Sequence, residues 1–267
     1  MKNKLDPISA RLLRNSHPHG SIALMYHSIA TGSGTAHWRY ALSMQRFRAQ
    51  LDLLQGEGWG TYRLADLSAR PLPPRSVVIT FDDGYQDNFS AFNELEKRSM
   101  TASWFVVSRD IGRNSAWQDT GRPQLPMLNA TQLREMQSAG MEIGSHSHTH
   151  RRLTECDDAA LMAELTLSKS TLEDLLNTAV TSLAYPYGVH DARVVVAAKA
   201  AGYLTACSTR TGWAQYASDP LQIRRLSIYA NDNLNSFARK LAFADNDVSW
   251  RRILRYASGQ LATRLRS

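Results

Sequence analysis

Cysteine is nearly absent from this chain, with two residues, Cys156 and Cys207, in 267. They stand far apart and lack any CxxC spacing, so neither a disulfide framework nor a cysteine-built zinc cluster organises the fold. Long apolar runs are missing too. The run from Ile22 to Tyr26 is too short for a secretion-signal core or a membrane span, and on this reading the chain stays in the cytoplasm. No internal repeat, low-complexity tract or linker divides the sequence. What is present reads as globular: 43% hydrophobic and 21% charged residues exclude long disorder, and the length suffices for one large α/β domain. Lysine and arginine outnumber aspartate and glutamate, 31 to 24, for a formal charge of +7. That excess admits an anionic partner, but a basic solvated surface accounts for it equally, and no nucleic-acid partner is expected.

The stretch Val77 to Gly84, VVITFDDG, is the one around which the rest is arranged. Apolar and β-branched residues lead into two adjacent carboxylates and a glycine, which is the pattern of a buried strand ending in charge. In a regular strand Asp82 and Asp83 point to opposite faces. Both serve one site only where the strand breaks, and Gly84 supplies the break. A second apolar lead-in ends at His146, His148 and His150, three of the eight histidines within five positions. Imidazoles paired with carboxylates are a metal-site composition.

Other segments repeat the theme. Ser21 to Tyr26 predicts a first buried strand ending at His27. Ser43 caps a helix with Met44, Phe47, Leu51 and Leu54 on one face. Strands are expected over Ala102 to Val107, Met141 to Ile143, Val180 to Tyr185, Tyr203 to Ser208 and Gln222 to Tyr229. Helices are expected through Phe92, from Asn129 with its Gln132 capping-box partner, from Asp157 or Asp158, and from Asp191 to Ala201. The loop from Ser108 to Leu128 is long enough to be functional. Alternation of this kind predicts an α/β fold, a single-domain β/α barrel over residues 20–245, with His27, Asp82, Asp83 and His146 gathered at the C-terminal strand ends. Residues 1–19 form a basic lead-in. Residues 246–267 carry Trp250, Ile253, Leu254, Leu261 and Leu265 among Arg251, Arg252, Arg255, Arg264 and Arg266, a basic amphipathic helix that packs on the barrel or rests on a membrane surface.

TFDDG at Thr80 to Gly84, HSHTH at His146 to His150 and YPYG at Tyr185 to Gly188 resemble, in order and spacing, the motifs of the polysaccharide deacetylases, carbohydrate esterase family four. The resemblance implies a distorted barrel of about seven β/α units. It implies Asp83, His146 and His150 as metal ligands, Asp82 as general base, the Tyr187 N–H as a donor to the oxyanion, and an N-acetylated glycan as substrate. Zinc suits these ligands, and cobalt, nickel or iron(II) fit the same donors. His148, between the ligands, points away if they share a face.

Two features depart from the family pattern. The arginine expected two residues before the motif proline is Ala184 here, and the late Leu-x-His motif that supplies the general acid is missing. The chain therefore resembles the circularly permuted branch, the poly-N-acetylglucosamine deacetylases of exopolysaccharide export, in which the acid-bearing strand comes first. That resemblance implies His27 as acid and a late-strand arginine, Arg224 or, preferably, Arg225, orienting the base. O-deacetylation, hydrolysis of another small amide, and a barrel that binds carbohydrate without turnover remain alternatives. With no export signal in view, the expected location is the cytoplasm, at the inner face of the membrane if the C-terminal helix binds there. Trp38, Trp117 and Trp213 stand in loop-like segments where rings can stack on sugars.

Overall fold

Strands built wholly of apolar and β-branched residues have no solvent face and must be covered on both sides. The computed structural model, which describes residues 4–16, 20–30, 38–117, 124–214 and 219–256, has that construction at its centre. After helix α1 (Pro7–Asn15), strand β1 (Ile22–Tyr26) is buried throughout, and β2 (Ser28–Ala30) pairs with β3 (Ala41–Ser43) in a small separate sheet. Helix α2 (Met44–Gly56), β4 (Gly60–Tyr62) and α3 (Leu64–Ala69) lead to β5 (Ser76–Phe81), followed by α4 (Asn88–Glu96) and β6 (Ser103–Val106). The pattern continues with α5 (Ala130–Ser138), β7 (Glu142–Ser145), α6 (Asp158–Leu176), β8 (Ser182–Ala184), α7 (Ala192–Ala200) and β9 (Thr205–Cys207). Strand β10 (Leu226–Ser227) and α8 (Leu234–Phe243) complete it.

Among the described residues the main sheet has eight strands, all parallel, in the order β10-β1-β5-β6-β7-β8-β9 with β4 alongside β5. β5 is its axis. One side pairs with β1 from Ile22↔Val77 to Tyr26↔Phe81, while the other takes β4 beside its first half and β6 beside Thr80 and Phe81. Helical crossovers cover the sheet, as parallel pairing requires.

The last strand is shorter than the expected span from Gln222 to Tyr229. Its residues serve two neighbours in turn, because Ile223 bridges to Cys207 of β9 and Leu226 then pairs with Leu24 of β1. One segment thus meets both edges, and the sheet curls back on itself as a barrel does.

Helix starts follow the expected chemistry. The Ser43 hydroxyl accepts the Arg46 N–H, Asn129 and Gln132 form a reciprocal capping box, and Asp157 accepts the Ala160 N–H. β4, α3, α1 and α8 lie outside the sequence expectations; β4 and α3 are short. α1, within the stretch read as a lead-in, is capped by Asp6 and buries Leu12 and Leu13. Arg239 of α8 reaches back to Asp6 at 3.1 Å, which fastens the two helices together. Of the expected C-terminal helix, residues 250–256 are helical and 257–267 lie outside the described residues. Ile253 packs with Leu12 and Phe243, while Trp250 and Leu254 are exposed. Among the described residues no helix is long and apolar enough to cross a membrane.

Candidate active site

Strand β5 ends at Phe81, and the next residues leave the sheet in two steps. Asp82 keeps its N–H on the Tyr26 carbonyl at 2.9 Å, but Asp83 turns to φ +72° and Gly84 to φ +86°. A Cβ on Gly84 would lie 3.0 Å from Val106, so both the turn and the packing demand glycine. The break sends the two carboxylates to different partners within one site.

Asp83 faces the histidines. Its Oδ1 is 3.5 Å from His146 Nε2 and 3.2 Å from His150 Nε2, all three side chains are buried, and their ligand atoms lie within 4.8 Å of one another. The β7 end makes this possible. The His146 N–H stays on the Val106 carbonyl, Ser147 and His150 adopt φ of +62° and +61°, and the Ser147 hydroxyl accepts the His150 N–H at 3.0 Å. Left-handed backbone at residues with side chains costs about 1–3 kcal/mol each. Asp83, Ser147, His150 and Tyr187 all carry it, so strain is concentrated where the ligating groups converge.

The tautomer of His146 follows from its partner. Nδ1 lies 2.7 Å from the Ala184 carbonyl, which can only accept, so Nδ1 carries the proton and Nε2 presents its lone pair toward Asp83. Burial pushes the His146 pKa down to about 4 against the pull of Asp82, which keeps the ring neutral. His148 pairs instead with Ser108 at 2.9 Å, away from this cluster.

Asp82 is held by Arg225. The guanidinium donates Nη1 to Oδ1 at 2.6 Å and Nη2 to Oδ2 at 2.7 Å, while Nη1 also reaches Thr80 Oγ1 and Nε the Ser208 carbonyl. Both residues are buried. Burial by itself raises the Asp82 pKa, but Arg225 and then His146 outweigh it and leave the carboxyl below its ordinary value. Arg225 is driven up, since the neighbouring Asp82 charge more than offsets desolvation. Arg224 is exposed and donates to the Thr211 carbonyl. Of the two arginines considered in place of one at Ala184, Arg225 is the one that meets Asp82.

His27 closes β1 beside Asp82 at the wall of a cleft of about 440 Å³, which also includes Trp38, Tyr40, His150 and Tyr187. Asn88 holds the His27 carbonyl at 2.6 Å, and the imidazole packs on Tyr40 with centroids 4.4 Å apart. Trp38 meets the His27 ring edge-on, and Trp117 stacks on His150 at 4.6 Å. Trp213 instead packs against the main core and does not line the cleft. Sequence reasoning missed Arg39, Tyr40 and Arg152 on the cleft wall and the contacts to Arg225 from Ser208 and from Thr80, the opening residue of TFDDG.

Tyr187 is presented by a tight turn over Pro186–Gly188. Gly188 has φ +71°, and a Cβ there would lie 2.2 Å from Thr209 Oγ1 and 2.5 Å from its backbone nitrogen. Gly188→Ala is therefore expected to destabilise the protein by about 2 kcal/mol or more, read as a lower denaturant midpoint, and to depress activity by displacing Tyr187.

A family model described as polysaccharide deacetylase matches residues 69–206, just over half of the chain. The chain belongs to the polysaccharide deacetylase family. YxkH of Bacillus subtilis (strain 168) is 26% identical over 234 residues, covering 85% of this chain and 78% of that protein. The poly-beta-1,6-N-acetyl-D-glucosamine N-deacetylase of Staphylococcus aureus (strain MSSA476) is 24% identical over 176 residues, covering 60% of this chain and 59% of its own length. The crystal structure of BA0330 from Bacillus anthracis aligns with a TM-score of 0.70 at 25% identity, over 82% of this chain and 67% of that one. The curled parallel sheet with covering helices is thus the barrel of this deacetylase family, and the N-terminal position of the His27 strand agrees with its permuted branch.

Proposed function

We propose that this deacetylase is metal-dependent and removes N-acetyl groups from an amino-sugar glycan, with Asp82 as base and His27 as acid. The observation that carries the reading is the division of labour between adjacent carboxylates: Asp83 converges with two imidazoles, while Asp82 is clamped by Arg225. One neutral imidazole of fixed tautomer, a second imidazole and a carboxylate suit a divalent ion such as zinc, cobalt, nickel or iron(II). When bound by Asp83, His146 and His150, the ion supplies Lewis-acid polarisation of the acyl carbonyl.

The remaining steps belong to the chain. Asp82, kept ionised by Arg225, takes a proton from the water that adds to the acetamido carbonyl carbon. The Tyr187 N–H, displayed by the left-handed turn, donates to the developing oxyanion. His27 delivers a proton to the sugar nitrogen as the C–N bond breaks, releasing acetate and the amine. Trp38, on the cleft wall, offers its ring to the sugar. The name of the S. aureus relative makes β-1,6-linked N-acetylglucosamine oligomers the first substrate to try.

The deciding experiment is acetate release from those oligomers by chelated protein, before and after zinc, cobalt or nickel is returned. Chelation is expected to abolish turnover and lower the melting temperature, and metal to restore both. Asp83→Ala should prevent either recovery. Unchanged turnover after complete chelation would refute metal dependence, and release from O-acetyl but not N-acetyl sugars would move the activity to ester hydrolysis.

A further inference from the structure

Two arginines on the cleft wall have no part in the chemistry just described. Arg39 lies over two rings at once, 4.9 Å from the Tyr40 centroid and 4.6 Å from that of Tyr229. Arg152 lies 4.2 Å above the Tyr187 ring. Two of these three rings touch a histidine of the site: Tyr40 packs on His27 at 4.4 Å, and Tyr187 meets His150 at 4.7 Å. One guanidinium is thus held on the His27 side of the cleft and one on the His150 side, in the same way. A side chain stacked over an aromatic face loses rotamer freedom before any ligand arrives, while its N–H edge still donates.

The charge around them is unbalanced. Among the described residues, Asp82 is the sole carboxylate lining this cleft, and Arg225 neutralises it. Arg39 has no carboxylate partner among the described residues. Arg152 has only Glu155, at 3.8 Å and 74% exposed, a loose pair in water. The walls of the cleft are therefore cationic.

That charge fits poorly with a neutral homopolymer. Each N-deacetylation leaves an amine that protonates near neutral pH, so a wholly N-acetylated chain becomes a polycation against two guanidinium groups. Carboxylates or phosphates spaced along the glycan reverse the sign of that contact, and a guanidinium edge matches either group with paired hydrogen bonds.

We propose that Arg39 and Arg152 form an anion-recognising frame around the scissile acetamido sugar, and that the preferred substrate is an anionic glycan. The frame determines specificity without entering the chemistry, and the proposal rests on the deacetylase reading above.

The test compares three glycans: a neutral N-acetylglucosamine oligomer, an oligomer alternating N-acetylglucosamine with glucuronic acid, and an N-acetylglucosamine oligomer carrying a phosphodiester. Acetate release should show kcat/KM about 10-fold higher on one or both anionic forms, chiefly through KM, with the advantage shrinking as salt rises. The carboxylate and phosphate arms identify which anion the natural glycan bears. In the double variant Arg39→Gln/Arg152→Gln the anionic-to-neutral ratio should fall close to one. Equal kcat/KM on all three glycans in the wild type, or a ratio that survives the double substitution, overturns the proposal. Calorimetric binding of the same glycans to Asp82→Asn, with and without Arg39→Gln/Arg152→Gln, decides the matter without turnover: tighter, salt-sensitive binding of an anionic form that the two arginine substitutions remove upholds the frame, and a preference that is absent or that survives them refutes it. Absence of acetate from every glycan bears on the deacetylase reading instead, so the two failures are distinguishable.

Discussion

Arg225→Met should both destabilise the protein and silence it. The side chain is fully buried, and its two N–H donors on Asp82 at 2.6 and 2.7 Å are the pair that offsets the cost of burying that carboxylate. Breaking one partner of a buried pair typically costs about 3–5 kcal/mol, because the remaining charge is left uncompensated. The expected result is a loss of that order in chemical denaturation. The pH dependence should change in a defined direction. The carboxyl of Asp82 is held below its ordinary value in the folded protein, so it contributes stability above its unfolded pKa and loses it as pH falls through the folded value. Without Arg225 the largest contribution that opposes desolvation is gone and the Asp82 pKa rises, so the acid limb of any residual kcat/KM profile should move to higher pH. The double variant Asp82→Asn/Arg225→Met should recover part of the stability and none of the activity. A single Arg225→Met variant with wild-type stability and an unmoved acid limb would show that the clamp does not tune the base.

The second large effect separates acid from base. His27→Ala is expected to lower N-deacetylation by about 10²–10⁴-fold, the usual worth of a positioned acid. A sugar amine is a poor leaving group and needs the proton. An aryl acetate leaves as a stabilised phenolate and does not, so His27→Ala should hydrolyse an aryl ester at close to the wild-type rate. Asp82→Asn, which lacks the base needed for attack, should lose both activities. Equal losses on amide and ester for His27→Ala would assign His27 to positioning, through its packing on Tyr40 and Trp38, instead of proton delivery.

Two smaller observations sharpen the picture of how the site is held. Ala184, which departs from the motif by lacking an arginine, still serves the site through its carbonyl, which fixes the His146 tautomer. Backbone contributes what the side chain does not. Stacking of Trp117 on His150 and of Tyr40 on His27 gives both imidazoles an apolar wall, which limits their rotation and the access of water.

Much of this site was readable from residue order alone, for a local reason. Metal-ligating and proton-transferring chemistry requires particular side chains, and placing them at strand ends requires an apolar run followed by a break. Both leave a continuous signature, as at Val77 to Gly84 and Ile143 to His150. The expectation that Asp82 and Asp83 share a site only where the strand breaks is met by the left-handed turn at Asp83 and Gly84. The order of strands and helices likewise follows from buried runs alternating with amphipathic ones.

Three matters needed the folded chain. Whether Arg224 or Arg225 faces Asp82 depends on strand parity and on how 223–227 meets both sheet edges, contacts that join residues 143 positions apart. Short elements such as β4 owe their conformation to β5 beside them and not to their own three residues. Arg39 and Arg152 reach the cleft from separate loops, and only the folded chain sets Arg39 over Tyr40 and Arg152 over the motif residue Tyr187. Residue type and local pattern determined the chemistry this protein has at its strand ends. The register and closure of the sheet decided which side chains face that chemistry, because only tertiary packing brings distant segments within the few ångströms over which such contacts act.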